Sequence, residues 1–227
     1  MIIAGDSHVR SYNGKFSKVV PVYLESGKKI NLTRIVCFIN LFRKWLLINR
    51  LLKRNIGIIL GEPDVRYFLY RSWRVPSGEK VLYSKKNKII SKLNILIFGL
   101  SFKIFIELLF IFRCPPKFII GIGTPNPEML KSSKRINLIM RSVCGKYRLP
   151  FFDPLEYIYE GDKISTNYIS KSVLDERVLD WVHLSEKIDK SLDEFFKIFF
   201  PLDTSTERIC SKSLIYDYNF NCYRVIC

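Results

Sequence analysis

Histidine is almost missing from this chain. Of 227 residues only His8 and His183 carry an imidazole, so any chemistry that needs one must use one of these two. The six cysteines, at positions 37, 114, 144, 210, 222 and 227, form no CxxC pair, and no histidine lies beside them at ligand spacing. That excludes the usual zinc patterns, and no metal or organic cofactor is expected. The N-terminus begins Met1-Ile2-Ile3-Ala4-Gly5-Asp6, without a basic region or a long apolar stretch, so no signal peptide is expected. A cytoplasmic protein with reduced thiols follows, and the sequon Asn31-Leu32-Thr33 is then idle. No repeat, low-complexity tract or Pro/Gly/Ser linker divides the chain.

What is present is an ordinary globular composition, 48% hydrophobic and 26% charged, which excludes disorder, a collagen-like repeat and a disulfide-stapled miniprotein. Thirty-seven Lys and Arg against 21 Asp and Glu leave a formal charge of +16. This balance favours anionic partners: nucleic acid, acidic lipid headgroups or acidic glycans. Lys, Ile, Asn and Phe are all abundant, however, so compositional drift explains part of the excess equally well. With no basic-aromatic repeat or known nucleic-acid motif, nucleic acid is not expected.

Short apolar runs alternate with longer helical patterns, as in an α/β protein with a parallel sheet and crossover helices. The candidate strands are five: Met1–Ala4, Lys18–Tyr23, Ile56–Leu60, Lys117–Ile122 and Leu149–Phe152. Between the second and third, Leu32, Ile35, Val36, Ile39, Phe42, Trp45 and Leu46 recur at three- and four-residue spacing and predict the inward face of an amphipathic helix. The segment Ile89–Phe112 is more apolar, but Lys92, Asn94, Lys103 and Glu107 interrupt it, leaving no unbroken run of the ~18 to 20 residues that a membrane span needs. It predicts a helix that is buried or lies on a membrane surface, which allows peripheral association with the inner membrane face. Near the C-terminus, Leu184, Ile188, Leu192, Phe195 and Phe199 repeat on one face, with Ser185 placed to cap the start and Pro201 to stop the end.

The first strand ends in Gly5-Asp6-Ser7-His8. Reactive groups in an open parallel sheet collect at the carboxyl edge, where a turn of small residues can present a hydroxyl as a nucleophile. The tripeptide GDS arises by chance in about one chain in twenty of this length, so its position supplies most of its weight. A serine nucleophile needs a base, and the base needs an orienting group. His8 adjoins Ser7, so its side chain should diverge, and it reads as structural or substrate-facing. His183 lies in Asp180-Trp181-Val182-His183, where Asp180 can reach the far ring nitrogen if the segment forms a turn. Ser7, His183 and Asp180 are therefore the candidate nucleophile, base and orienting acid.

With these blocks in place the chain resembles the SGNH/GDSL hydrolase superfamily over residues 1 to about 200. That family carries GDS after its first strand and DxxH near its C-terminus. The resemblance implies a flavodoxin-like three-layer α/β/α fold with a five-stranded parallel sheet. It also implies a domain over residues 1–200 and an extension, 201–227, packed on it. The third block, usually GxND, corresponds to Gly61-Glu62-Pro63-Asp64-Val65-Arg66. GDSH with GE-x-D-x-R looks like the SGNH-type proteins of bacterial surface-polysaccharide biosynthesis clusters. This implies a serine esterase or acyltransferase acting on O-acyl groups, acetyl foremost, of a carbohydrate or anionic glycan. In the family's oxyanion hole the nucleophile's N–H is joined by a glycine of the second block, here best matched by Gly27, and by the asparagine of the third. Pro63 stands at that asparagine's place and offers no donor. Arg66 is the candidate substitute, with Asp64 to hold it.

Each reading has a plainer rival. Ser7 can be a turn residue, His183 a helix-entry residue, Gly27 a turn glycine, and Asp64 with Arg66 a salt bridge at a strand end. Asn126 and Asp153 also follow strands and read as structural. For the whole chain, the rivals are a non-catalytic scaffold on a degenerate hydrolase fold and a basic module that binds anions or membrane.

Overall fold

The computed structural model describes residues 1–12, 14–26, 29–52, 55–66, 70–74, 82–85, 88–171, 179–201, 214–217 and 222–225; at 63, 70–74, 82–85, 88, 171, 179–182, 214–217 and 222–225 it describes the backbone alone. In chain order the elements are β1 (Ile2–Gly5), β2 (Val20–Tyr23), α1 (Ile35–Leu52), β3 (Ile56–Ile59), α2 (Glu62–Asp64), β4 (Tyr70–Arg74), β5 (Leu82–Lys85), α3 (Lys88–Ile111), β6 (Ile119–Ile120) and α4 (Pro127–Lys146). They continue with β7 (Phe151–Phe152), α5 (Leu155–Ile158), β8 (Tyr159–Glu160), β9 (Lys163–Ile164), β10 (Ile169–Lys171), β11 (Leu179–Leu184), α6 (Ile188–Phe199), β12 (Leu214–Asp217) and β13 (Cys222–Val225).

Five of these strands form the expected parallel sheet, in the order β2-β1-β3-β6-β7. This is the flavodoxin-like order, and it places the point where the winding reverses at β1. Beyond β2, β13 joins in parallel through Tyr223↔Val22 and Arg224↔Tyr23, and β12 closes that edge antiparallel to β13. The pairs β4/β5, β8/β9 and β10/β11 form separate two-stranded ribbons.

Strand alternation divides the core into two layers. Ile2 and Ala4 of β1, with Ile56 and Ile58 of β3, face the layer of α1, α3 and α4. Ile3 and Ile59 face the opposite layer, built from the turn after β1, α5 and α6. Both faces are thus covered, as near-continuous apolar strands require.

Two sequence expectations need correction. In α1 the buried stripe is Cys37, Leu41, Trp45, Ile48 and Leu52, while Ile35, Val36 and Ile39 are exposed. The helix carries more apolar residues than one face can bury, so Trp45 is buried and Phe42 packs against the core as expected, but Ile35, Val36 and Ile39 fall outside the stripe. Ser185 does not cap α6: its hydroxyl donates to the Asn167 carbonyl at 2.8 Å, and the helix starts after Lys187 without a side-chain cap.

Candidate active site

The site begins with a close approach between strands. A Cβ at Gly5 would lie 2.2 Å from Ile59 Cγ2 and 2.8 Å from the Ile59 carbonyl oxygen, so only glycine lets β1 end beside β3. The chain then turns at once into a 3-10 helix, Ser7–Ser11, with Asp6 as its cap. The Asp6 carboxylate accepts the His8 backbone N–H at 2.9 Å, and the turn holds Ser7 half-buried at the carboxyl edge.

His183 comes to this serine from across the chain. The Ser7 hydroxyl is 3.1 Å from His183 Nε2 and donates to it when the ring carries its proton on Nδ1. Two ties brace the approach. Ser11 Oγ donates to the Leu184 carbonyl at 2.8 Å, joining the serine turn to the strand that carries His183. Asp189, fully buried at the start of α6, accepts the backbone N–H groups of Phe16 at 2.8 Å and Ser17 at 3.2 Å, and also the Ser17 hydroxyl.

The DxxH segment lies within β11, where a regular strand would send residues 180 and 183 to opposite faces. The pairing is not regular, however. Asp180 pairs with Ser170 and Leu184 with Ile169, so Trp181, Val182 and His183 are accommodated opposite a single step of β10. Because that step spans only about 3.8 Å, the backbone from Asp180 to Leu184 bulges and cannot run extended. The Asp180 side chain lies outside the described atoms, as does Gly27 altogether.

The turn after β3 supplies a second set of groups. Gly61 adopts φ 99°, the left-handed region, to start it. Arg66 is held by Glu62: its Nε–H donates to Glu62 Oε1 at 2.8 Å, and Nη2 contacts the same oxygen. Asp64 turns elsewhere, accepting the backbone N–H groups of Leu32 at 3.1 Å and Thr33 at 3.0 Å and the Thr33 hydroxyl at 2.8 Å. It thereby anchors the loop that leads into α1. Burial pushes the Asp64 carboxyl up to about 7 against these hydrogen bonds, and the nearby Asp6 adds to the rise.

His8 bridges the two turns. Its Nδ1–H donates to Asp6 Oδ1 at 2.9 Å, its Nε2 lies 3.6 Å from Glu62 Oε2, and its ring tilts against His183 at a centroid distance of 4.7 Å. Burial alone would lower the His8 pKa, but Asp6 and Glu62 overcome that and hold it above its ordinary 6.5. Burial would likewise raise Asp6; contact with His8 reverses this and holds it below the ordinary carboxylate range. Asp6, His8 and Glu62 offer three donor atoms within 4.8 Å of one another. Within this cluster Asp6 Oδ1 is engaged by His8 and Glu62 Oε1 by Arg66.

Asn126 and Asp153 are occupied structurally. Asn126 caps α4 by accepting the Glu128 N–H at 2.9 Å, and Asp153 accepts from Asn137 at 2.6 Å and Leu155 at 3.1 Å. Sequence reasoning missed Glu62 as the partner of Arg66, although their i,i+4 spacing is a signal for such a pair. It also missed Ser11 and Asp189, whose partners lie far along the chain.

No protein-family model and no curated protein matches the chain. Among solved structures it is similar to a protein of Bacteroides fragilis NCTC 9343 provisionally named an acylhydrolase, with 11% identity, a TM-score of 0.51 and coverage of 87% of this chain and 84% of that one. It is also similar to a GDSL-like lipase of Bacteroides thetaiotaomicron VPI-5482, with 10% identity, a TM-score of 0.51 and coverage of 87% and 85%. The fold is that of the GDSL-like hydrolases.

Proposed function

We propose that this protein is an SGNH-type serine esterase or acyltransferase that removes or moves an O-acyl group, acetyl foremost, on a carbohydrate. The observation that carries the reading is the 3.1 Å approach of the Ser7 hydroxyl to His183 Nε2 at the carboxyl edge of β1. Ser7 Oγ attacks the ester carbonyl carbon as His183 takes its proton. The bond to the sugar oxygen breaks, and His183 returns the proton to that oxygen, leaving an acyl group on Ser7. Water or a second sugar hydroxyl, deprotonated by His183, then attacks the acyl group and releases an acid or a new ester. Asp180 is assigned to the far nitrogen of His183. The Ser7 N–H, Gly27 and Arg66 are assigned to the oxyanion, with Arg66 taking the part for which Pro63 has no donor. The carbohydrate substrate rests on the likeness of the GDSH and GE-x-D-x-R blocks.

Hydrolysis of p-nitrophenyl acetate by wild type and Ser7→Ala tests the chemistry: wild type turns over and the variant does not, and equal rates in the two would overturn the nucleophile. The rival reading, a non-catalytic scaffold, draws support from Pro63 and from the commitment of Asp64 to Leu32 and Thr33. It predicts no labelling of Ser7 by a fluorophosphonate, whereas an active site is labelled there.

A further inference from the structure

Helix α3 has two apolar faces where the fold uses one. Phe98, Phe102, Phe105, Ile106 and Leu109 are buried in the core that also holds Ile58 and Ile119. On the opposite face Leu93, Leu96, Leu100 and Ile104 are spaced by three, four and four residues, so they share one stripe of the helix, which Glu107 ends before Ile111. All four are exposed, Leu93 to 54%, Leu96 to 69% and Leu100 to 58%. Soluble monomers rarely expose a continuous apolar stripe of this length. The helix before it in this layer adds to the surface: α1 contacts α3 through Phe38 and Phe42, which meet Phe105, and it exposes Ile35, Val36 and Ile39.

Charge indicates what covers the stripe. Exposed Lys92 and Lys103 lie along one flank, and Lys103 neutralises Glu107, the sole acid of the helix, at 3.8 Å. The sequence entering the helix, Lys85-Lys86-Asn87-Lys88, is also basic, within a chain of +16. Long lysine stems beside an apolar stripe can lie along acyl chains and place their ammonium groups among phosphates. A second copy of the chain would instead set like charges against each other.

By length and composition α3 could cross a bilayer. Its other face is part of the core, however, so crossing would strip α1, α4 and the sheet of their packing. A helix packed in this way can meet a bilayer only in its plane. Its placement also bears on the site. Phe98 lies beside Gly61 at the end of β3, where a Cβ would be 3.3 Å from its ring. As a crossover helix α3 runs antiparallel to the strands, so its first ten residues overhang the carboxyl edge by about 15 Å. The apolar stripe therefore begins on the same side of the molecule as Ser7.

We propose that the exposed face of α3 docks the protein in-plane on an anionic membrane surface, with the stripe from Leu93 to Ile104 in the acyl region and Lys92 and Lys103 at the headgroups. The test is flotation of the full chain with phosphatidylcholine vesicles, with and without about one third phosphatidylglycerol. Wild type should float with the anionic vesicles at least about tenfold more than with the neutral ones. The double variant Leu96→Glu/Leu100→Glu should lose that binding by about tenfold or more, with circular dichroism and melting temperature unchanged. Failure of wild type to float with anionic vesicles overturns the proposal, as does equal flotation of the variant. So does light scattering that finds a dimer which the same variant splits, because the stripe then serves a second copy.

Discussion

The turns that follow β1 and β3 lie side by side at the carboxyl edge, both turn at a glycine, Gly5 for lack of space and Gly61 for its positive φ, and both carry buried carboxylates. They use those carboxylates differently. In the first, Asp6 caps the turn and pairs with His8, leaving the Ser7 hydroxyl directed at His183. In the second, Glu62 holds Arg66 and Asp64 is spent on Leu32 and Thr33, with a proline between them. One turn presents a hydroxyl to an imidazole; the other is mostly scaffold with a guanidinium at its end. The contrast separates loss of chemistry from loss of fold, since substitutions in the first should silence the reaction and those in the second should slow it or unfold the protein.

The largest effect is expected in the serine turn and its partner. His183→Ala should lower turnover of p-nitrophenyl acetate by about ten-thousand-fold or more, because base and nucleophile act as a unit. Its melting temperature should stay near that of wild type, since the ring is only half-buried. A variant that retains a tenth of the activity would remove His183 from the mechanism. Arg66→Ala comes next. Loss of one oxyanion donor typically costs about 10² to 10³ in turnover, and fluorophosphonate labelling of Ser7 should persist at a reduced rate. An unchanged kcat would make Arg66 a structural partner of Glu62 and return the second turn wholly to scaffolding.

Ser11 probes the join between the two ends of the chain. Ser11→Ala removes a donor to the buried Leu184 carbonyl and should cost about 1 to 2 kcal/mol in urea unfolding. Because that bond aligns β11 with the serine turn, turnover should fall by about tenfold through poorer Ser7–His183 geometry. Loss of stability without loss of kcat would show that other contacts suffice to hold His183.

These sites differ in how far the sequence revealed them. The meeting of Ser7 with His183 was legible because strand end and turn are local and only one other histidine competes. The five parallel strands were legible because each is a short apolar run. The stripe of α1 was not, because Ile35, Val36 and Ile39 have the same chemistry as the residues that are buried and only the position of the neighbouring helix selects among them. The bulge around His183 depends on register with residues 169–171, and the contact of Glu62 with His8 joins two turns more than fifty residues apart; neither leaves a local pattern. β13 likewise becomes a sheet strand only by meeting β2, at the opposite end of the sequence.

The smallest effect on turnover concerns Asp64, where the second turn's scaffolding role can be separated from charge. A carboxyl raised to about 7 by burial favours the folded state most while it is protonated. Its contribution is full below the unfolded value of 3.8 and is lost as pH rises through about 7. Asp64→Asn keeps an oxygen to accept from Thr33 but has nothing to ionise, so unfolding free energy measured in urea should decline less between pH 4 and pH 8 than in wild type. Asp64→Ala leaves buried N–H donors of Leu32 and Thr33 without a partner and should cost about 2 to 3 kcal/mol across that range. Both variants should still be labelled at Ser7. If Asp64→Asn instead follows the wild-type pH profile while labelling stops, the carboxylate belongs to the chemistry of the first turn, and the division between the two turns fails at this residue.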